Sequence, residues 1–123
     1  MKKENNVWMD ESEIIHVLVP EITSEEEILE IFGDIEENLK KTSSKAMILI
    51  DMKVAKVIYS ATFRQKLAEK IKTLNEEPGY EKAAIFGTSP TNKVITSIVL
   101  KVSGVTNIKL FDFEKEALDW LKL

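Results

Sequence analysis

The chain has 123 residues, of which 44% are apolar and 31% charged, with 17 bases, 21 acids and a formal charge of −4. This composition is typical of one soluble globular domain, which we expect over residues 1–123. With one histidine and no cysteine, the sequence excludes disulfides, thiol nucleophiles, iron–sulfur clusters and multi-histidine metal sites within one chain.

The first predicted element is a β-hairpin over residues 7–19. Its strands, 7–9 and 14–19, are rich in β-branched and aromatic residues, and residues 10–13 can form the turn. Thr23 or Ser24 then begins a helix that ends near residue 41, because either residue can form a capping box with a glutamate three positions later. An apolar stripe of Ile28, Phe32 and Ile35 gives this helix one core-facing side.

Three strand–helix pairs follow. Continuous apolar runs at 46–51 and 83–86 predict central strands, and residues 107–111 predict the last strand. Residues 54–59 favour either a short extended piece or a packed loop. A basic amphipathic helix ends before Pro78, an apolar helix covers about 91–102, and Asp112 can cap the final helix.

The element order is therefore β-β-α-β-α-β-α-β-α. It predicts an α/β fold with a mixed, mostly parallel sheet, an antiparallel N-terminal hairpin and flanking helices. No apolar run reaches membrane-spanning length and the N-terminus does not resemble a signal peptide, so we expect no transmembrane segment and a cytoplasmic location.

The charge is unevenly distributed along the chain. Residues 1–38 carry 12 acids and 2 bases (−10), whereas residues 39–123 carry 9 acids and 15 bases (+6), which together give −4. Residues 53–72 contain six bases and one acid, but only one base is an arginine, so we predict no nucleic-acid binding. No pattern in the sequence implies a cofactor.

Four segments of the C-terminal half carry a family resemblance. They are residues 83–90 (AAIFGTSP), the apolar helix over 94–102, residues 109–112 (KLFD) and residues 116–121 (EALDWL). In these segments the chain resembles the SpoIIAA-like, or STAS/SEC14-type, family of small bacterial and archaeal proteins. The resemblance implies a STAS fold and a non-enzymatic binding or regulatory module that acts through protein or small-ligand contacts, as anti-sigma-factor antagonists do.

The same resemblance implies two more specific possibilities. In anti-sigma-factor antagonists, a serine in an Asp-Ser-Ser-Gly-like turn after the central strand is phosphorylated. Ser60, within residues 58–62 (IYSAT), holds that place here, with Tyr for the acidic residue and Thr for the glycine. The alternative function is a SEC14-like carrier that binds a lipid or another amphiphile under a mobile helix.

A polar turn after the strand at 83–86 is the main candidate for anion or ligand binding. Gly87, Thr88, Ser89 and Asn92 combine hydroxyl groups with a helix N-terminus at the carboxyl end of a parallel strand. The same residues can simply cap the helix, and the turn lacks the spaced glycines and the lysine of a P-loop.

Ser60 allows the same two interpretations. A phosphate there would lie at a helix N-terminus close to Lys56 and Arg64, which favours it electrostatically, or Ser60 can serve only as a helix cap. Asp51, at the end of the central strand, can orient a ligand or cation, or belong to a surface turn.

An enzymatic function is the second alternative. A small hydrolase or transferase would use Ser60 or Ser89 as nucleophile and His16 as base, whereas His16 is otherwise a packed or edge histidine.

The predicted third helix has more apolar residues than one core-facing stripe needs. We expect part of it to form an interface or contact lipid, covered by a homodimer partner, by an amphiphile or simply by a neighbouring helix, for which the final helix with Trp120 is the candidate. The candidate residues are Val94, Ile95, Ile98, Val99 and Val102.

Overall fold

The computed structural model describes residues 6–21, 24–42, 46–56 and 60–123. Nine elements follow one another: β1 (Val7–Met9), β2 (Ile14–Leu18), α1 (Glu25–Leu39), β3 (Met47–Asp51), α2 (Ala61–Glu76), β4 (Lys82–Phe86), α3 (Pro90–Ser103), β5 (Ile108–Phe111) and α4 (Glu114–Leu121). The strands form one sheet in the order β1-β2-β3-β4-β5, with β1 antiparallel to β2 and the other pairs parallel. The predicted α/β class with a mixed, mostly parallel sheet is confirmed.

The sheet separates two apolar cores of unequal size. Successive strand residues point to opposite faces, so Ile15 and Ile48 pack with α1, α2 and α3, whereas Leu49 and Ala84 pack with α4. Adjacent parallel strands joined by right-handed crossovers place every crossover helix on the same face. Three helices therefore share one face of the sheet, and α4 alone packs on the other.

Local capping explains where the helices begin and end. Ser24 and Glu27 form the predicted capping box at the start of α1, with hydrogen bonds of 3.1 and 2.9 Å, while the alternative cap Thr23 lies outside the described residues. Ser89 precedes Pro90 and caps α3, and Gly104 ends that helix with a φ of 78°, a conformation that favours glycine.

The predicted cap of α4 was wrong. The N-cap residue is Phe113, which makes no side-chain cap hydrogen bond, while the carboxylate of Asp112 lies 3.2 Å from the ammonium of Lys93 on α3. Sequence alone could not show that a cation on another helix competes for this carboxylate.

In the loop after β3, residues 54–56 are not a strand and Ala55 is buried, which agrees with a packed loop. Residues 57–59 lie outside the described part.

One carboxylate organises the β1–β2 hairpin. Asp10 accepts hydrogen bonds from the backbone N–H of Ser12 and Ile14, and its second oxygen lies 2.8 Å from Nε2 of His16. The imidazole stacks on the indole of Trp8, with 5.2 Å between ring centroids and 6° between planes. Burial disfavours the charged form of Asp10, but these hydrogen bonds and the attraction to His16 outweigh it and lower the pKa of Asp10.

We expect Asp10→Asn to destabilise the protein near neutral pH and to have little effect in acid. Because the folded-state pKa is lowered, the carboxylate stabilises the fold above its unfolded-state pKa, and this contribution disappears as pH falls through the folded-state value. Since the side chain is about one-third exposed, the expected loss is only about 1 kcal/mol at neutral pH. Urea unfolding near pH 7 and near pH 3, with Asp112→Asn as an exposed control, measures it; an equal loss at both pH values would contradict this account.

Candidate functional site

The carboxyl ends of the parallel strands form a polar edge at which several predicted residues meet. Gly87 follows β4 with a φ of 80°, and a Cβ there would lie 2.5 Å from Cγ of Lys53. Glycine is therefore required both by its backbone conformation and by the close approach of the loop after β3. Its N–H donates to the carbonyl of Phe111 at 3.2 Å, which ties the turn to β5.

The other members of the predicted ligand turn have structural contacts. The hydroxyl of Ser89 accepts the N–H of Asn92 at 3.3 Å, as an N-cap does. Asn92 is only 5% exposed, and its amide donates to the carbonyl of Ala55 at 3.4 Å. Thr88 is half-buried between Gly87 and the cap. These contacts hold α3 against the loop after β3, and ligand binding by the turn stays a prediction.

Ser60 caps α2 and contacts an acid. Its hydroxyl accepts the N–H of Phe63 at 3.1 Å and donates to the carboxylate of Glu25 on α1 at 3.1 Å. Lys56, one of the cations expected near a phosphate, lies 3.1 Å from the carboxylate of Glu21. A phosphate on Ser60 would therefore meet the negative charge of Glu25, which opposes the predicted switch.

Asp51 belongs to the turn that follows β3. One carboxylate oxygen accepts the N–H of Lys53 at 2.9 Å, and the other lies 3.7 Å from the ammonium of the same residue. The ammonium of Lys53 in turn lies 5.7 Å from the centre of the Phe86 ring. These contacts correspond to the surface-turn interpretation of Asp51.

His16 projects from the opposite side of the sheet from α2 and α3. It alternates with Ile15 and Val17, which face those helices, and its ring is fixed by Asp10 and Trp8. The catalytic pairing of His16 with a serine at the start of α2 or α3 gains no support from this arrangement, and an enzymatic function stays a prediction.

The predicted apolar surface of α3 divides into two sides. Val99 is buried and Ile95 is partly buried against the larger core, whereas Val94, Ile98 and Val102 are 61%, 48% and 61% exposed. The expectation that the final helix covers this surface was wrong, since α4 packs on the other face of the sheet. Right-handed crossovers fix α1 to α3 on one side, but nothing in the sequence fixed the side of the terminal helix.

An apolar cavity of about 120 Å³ lies between the sheet and the three-helix layer. Nineteen residues from β2 to β5, their flanking loops and α1 to α3 line it, and all but Tyr80 and Thr96 have purely apolar side chains. Burial raises the pKa of Tyr80 to about 12, so the phenol is neutral at physiological pH. The sequence analysis did not predict this cavity, because the apolar residues that line it have the same pattern as residues of an ordinary filled core.

The cavity extends both along the strands and across them. On the sheet side its lining extends from Ile48 to Met52, roughly 13 Å at strand rise. On the helix side it extends from Ile28 to Ile35, roughly 10 Å at helical rise. Across the sheet its lining extends from β2 to β5, roughly 14 Å at the spacing of neighbouring strands, so the cavity is about as wide as it is long.

The part of the chain that the structure describes offers neither a metal-binding cluster nor a membrane-spanning helix. Among those residues, no group of three or more His, Cys, Asp or Glu side chains is placed to hold a metal ion. Within the same residues, no helix has both the length and the apolarity needed to cross a bilayer.

Comparison of the chain with protein-family models, with curated proteins and with solved structures finds no match in any of the three. The resemblance to SpoIIAA-like proteins therefore remains a prediction from the sequence.

We expect Ser60→Asp to destabilise the protein through Glu25 rather than through loss of the cap. Aspartate caps a helix as well as serine does, so the new contribution is repulsion between two carboxylates where a hydrogen bond now lies. The expected loss is about 1 kcal/mol, smaller at high salt, because both residues are exposed. Denaturant unfolding measures it.

The Glu25→Gln variant provides the matched background for this test. There the Ser60→Asp change should be neutral or slightly stabilising, since a single acid at a helix N-terminus is favourable. An equal effect of Ser60→Asp in both backgrounds would contradict the proposed repulsion.

Proposed function

We propose that the protein is a non-catalytic binding module whose ligand is a small apolar or amphiphilic molecule held in the cavity between the sheet and the α1–α3 layer. The observation that carries the proposal is the cavity itself. Its volume is about 120 Å³, and its lining is apolar apart from the hydroxyl groups of two residues.

The energetic cost of an empty cavity supports an occupant. Protein interiors have few voids larger than a water molecule. Apolar side chains that face unfilled space lose dispersion contacts on that side, which lowers the stability of the fold. A ligand that fills the cavity restores the missing dispersion contacts and offsets this cost.

The chemistry of the lining favours hydrocarbon over water. A buried water molecule needs two to four polar partners, and apolar cavities of similar size stay dry and accept small hydrocarbons. Tyr80 and Thr96 are the residues of the lining that can offer a hydroxyl group to a polar end of the ligand. The site therefore suits a small apolar molecule, alone or with one hydrogen-bonding group.

The positions of the potentially reactive side chains support binding rather than catalysis. The hydroxyls of Ser60 and Ser89 accept N–H groups at the starts of α2 and α3, and His16 is paired with Asp10 on the other side of the sheet. A carrier or ligand-sensing role needs none of these groups. The phosphorylation switch at Ser60 has no comparable support, since Glu25 occupies the position that a phosphate would approach.

The test measures thermal unfolding with hexane or decanol as the probe. At about one hundred times its dissociation constant, a probe that binds only the folded state stabilises it by about 2.7 kcal/mol. For a chain of this length, that corresponds to a rise in Tm of roughly 10 °C. No rise with either probe would contradict the proposal.

Two adjacent alanines provide a matched pair of variants. Ala83 and Ala84 are both buried in β4, but Ala83 lines the cavity, whereas Ala84 packs in the smaller core with α4. We expect Ala83→Leu to fill the cavity, to be tolerated and to abolish the probe-induced rise in Tm. Ala84→Leu should overpack its core, cost about 1–3 kcal/mol and leave the probe-induced rise intact. A full probe response in Ala83→Leu would contradict the assignment of the site.

A further inference from the structure

We propose that the outer side of α3 docks on an anionic lipid surface. The docking residues are Val94, Ile98 and Val102, which recur every four positions and are each about half exposed or more. Positions four apart lie on one side of a helix, so these three side chains form a continuous apolar stripe, named here the α3 stripe. A helix that buries one apolar side in its own core and exposes a second one has a surface suited to the boundary of a bilayer.

The charge around the α3 stripe determines the kind of surface. Helix α3 carries Lys93 and Lys101 and no acid, a balance of +2. Helix α2, which packs beside it, carries four bases and two acids, again +2. Both helices therefore attract an anionic surface and are repelled by a cationic one.

The most acidic helix, α1, is far from this surface. Helix α1 carries seven acids and no base, a balance of −7, but α2 packs between it and α3. Two successive helix packings separate the axes of α1 and α3 by roughly 16–20 Å. That is about two Debye lengths at physiological salt, so the acids of α1 are largely screened from a lipid surface in contact with α3.

Lys93 and Lys101 can both contribute to docking. Lys93 contacts Asp112 at 3.2 Å, but both side chains are exposed, and such a surface pair is worth little and can exchange for lipid phosphate. Lys101 lies one position before Val102 and is exposed. A lysine close to an anionic surface contributes favourably within a Debye length of it.

A second copy of the chain fits the α3 stripe less well. In a two-fold contact between two α3 helices, the lysines of both copies would approach each other without an acid on either helix. Three partly exposed side chains are also far fewer than the 20–30 residues that each partner usually contributes to a stable protein interface.

Docking also brings the bilayer close to the cavity. Thr96, Val99 and Leu100 of α3 line the cavity from the inner side of the helix. A lipid surface at the outer side therefore lies one helix thickness from the bound ligand. This relation to the ligand rests on the proposed function, whereas docking itself does not.

The experiment is flotation of the full chain with vesicles of phosphatidylcholine alone and of phosphatidylcholine with phosphatidylglycerol. We expect binding to the anionic vesicles only, weakened by added salt. Replacing Val94, Ile98 and Val102 together by serine should weaken it at least tenfold, while Leu18→Ser, an exposed apolar change on the opposite face of the sheet, should not change it. Equal binding of the triple variant, or no binding of the wild type, would overturn the proposal.

Two lysine variants test the role of local charge. Lys101→Gln and Lys122→Gln each remove one exposed base, but Lys122 follows α4 on the other side of the sheet. We expect a several-fold loss of vesicle binding for Lys101→Gln and no loss for Lys122→Gln. Equal losses would overturn the proposal, because they would show that the vesicles attract the protein through its overall charge and not through α3.

Two measurements on the triple serine variant separate the remaining outcomes. Light scattering measures the oligomeric state of both proteins. A dimeric wild type together with a monomeric triple variant would overturn lipid docking in favour of an interface between copies. An unchanged rise in Tm with hexane is expected for this variant, because its three residues lie outside the cavity lining. Loss of vesicle binding with an intact hexane response therefore supports docking independently of the cavity, and loss of both would overturn the assignment of the effect to the α3 stripe.

Discussion

The sequential order of the parallel strands is the constraint on which the rest of the structure depends. Each crossover from β2 to β5 connects neighbouring strands, and right-handed connections of this kind place α1, α2 and α3 on one face. Among the described elements, α4 alone packs on the other face, where it reaches β3, β4 and β5 and leaves the β1–β2 side with an exposed Trp8. This asymmetry gives the molecule one thick core and one thin core.

The thick core accounts for the cavity. Its helices present mainly isoleucine, leucine and phenylalanine toward strands that present isoleucine, valine and alanine, and the small Ala83 on β4 leaves space beneath the helices. The space left between them is apolar. The same layer places α3 at its edge, where one side of the helix packs against none of the other helices that the structure describes. The cavity and the α3 stripe are thus two consequences of one layer arrangement.

Much of the fold could be predicted because its signals are local. The capping box of Ser24 and Glu27, the Ser89–Pro90 helix start and the Gly104 stop each depend on a few neighbouring residues, and the apolar runs of β3 and β4 follow from burial on both faces. A local signal failed where a distant group competes, since Asp112 pairs with Lys93 instead of capping α4. Ser60 caps α2, which was one of its two interpretations, but its contact with Glu25, 35 positions away, could not be predicted.

The candidate site could be predicted only in part, because it also depends on contacts between residues that are distant in the sequence. Gly87, Ser89 and Asn92 do meet at the carboxyl edge of the sheet, as parallel strands require, yet their contacts hold the turn and the start of α3 in place. The cavity depends on the volumes of side chains from seven elements at once, and no short pattern in the sequence encodes that sum. For α3, the sequence signal was an excess of apolar residues over those that one core-facing stripe needs, and this excess predicted an additional apolar surface.

The most direct test of the central claim is a hexane titration followed by NMR of isoleucine methyl groups. The cavity account predicts saturable shifts at Ile35, Ile48 and Ile85, which line the cavity, with Ile14 in the thin core and Ile98 on the surface of α3 unchanged. No shift at the lining residues, or the largest shifts at Ile14 or Ile98, would contradict it.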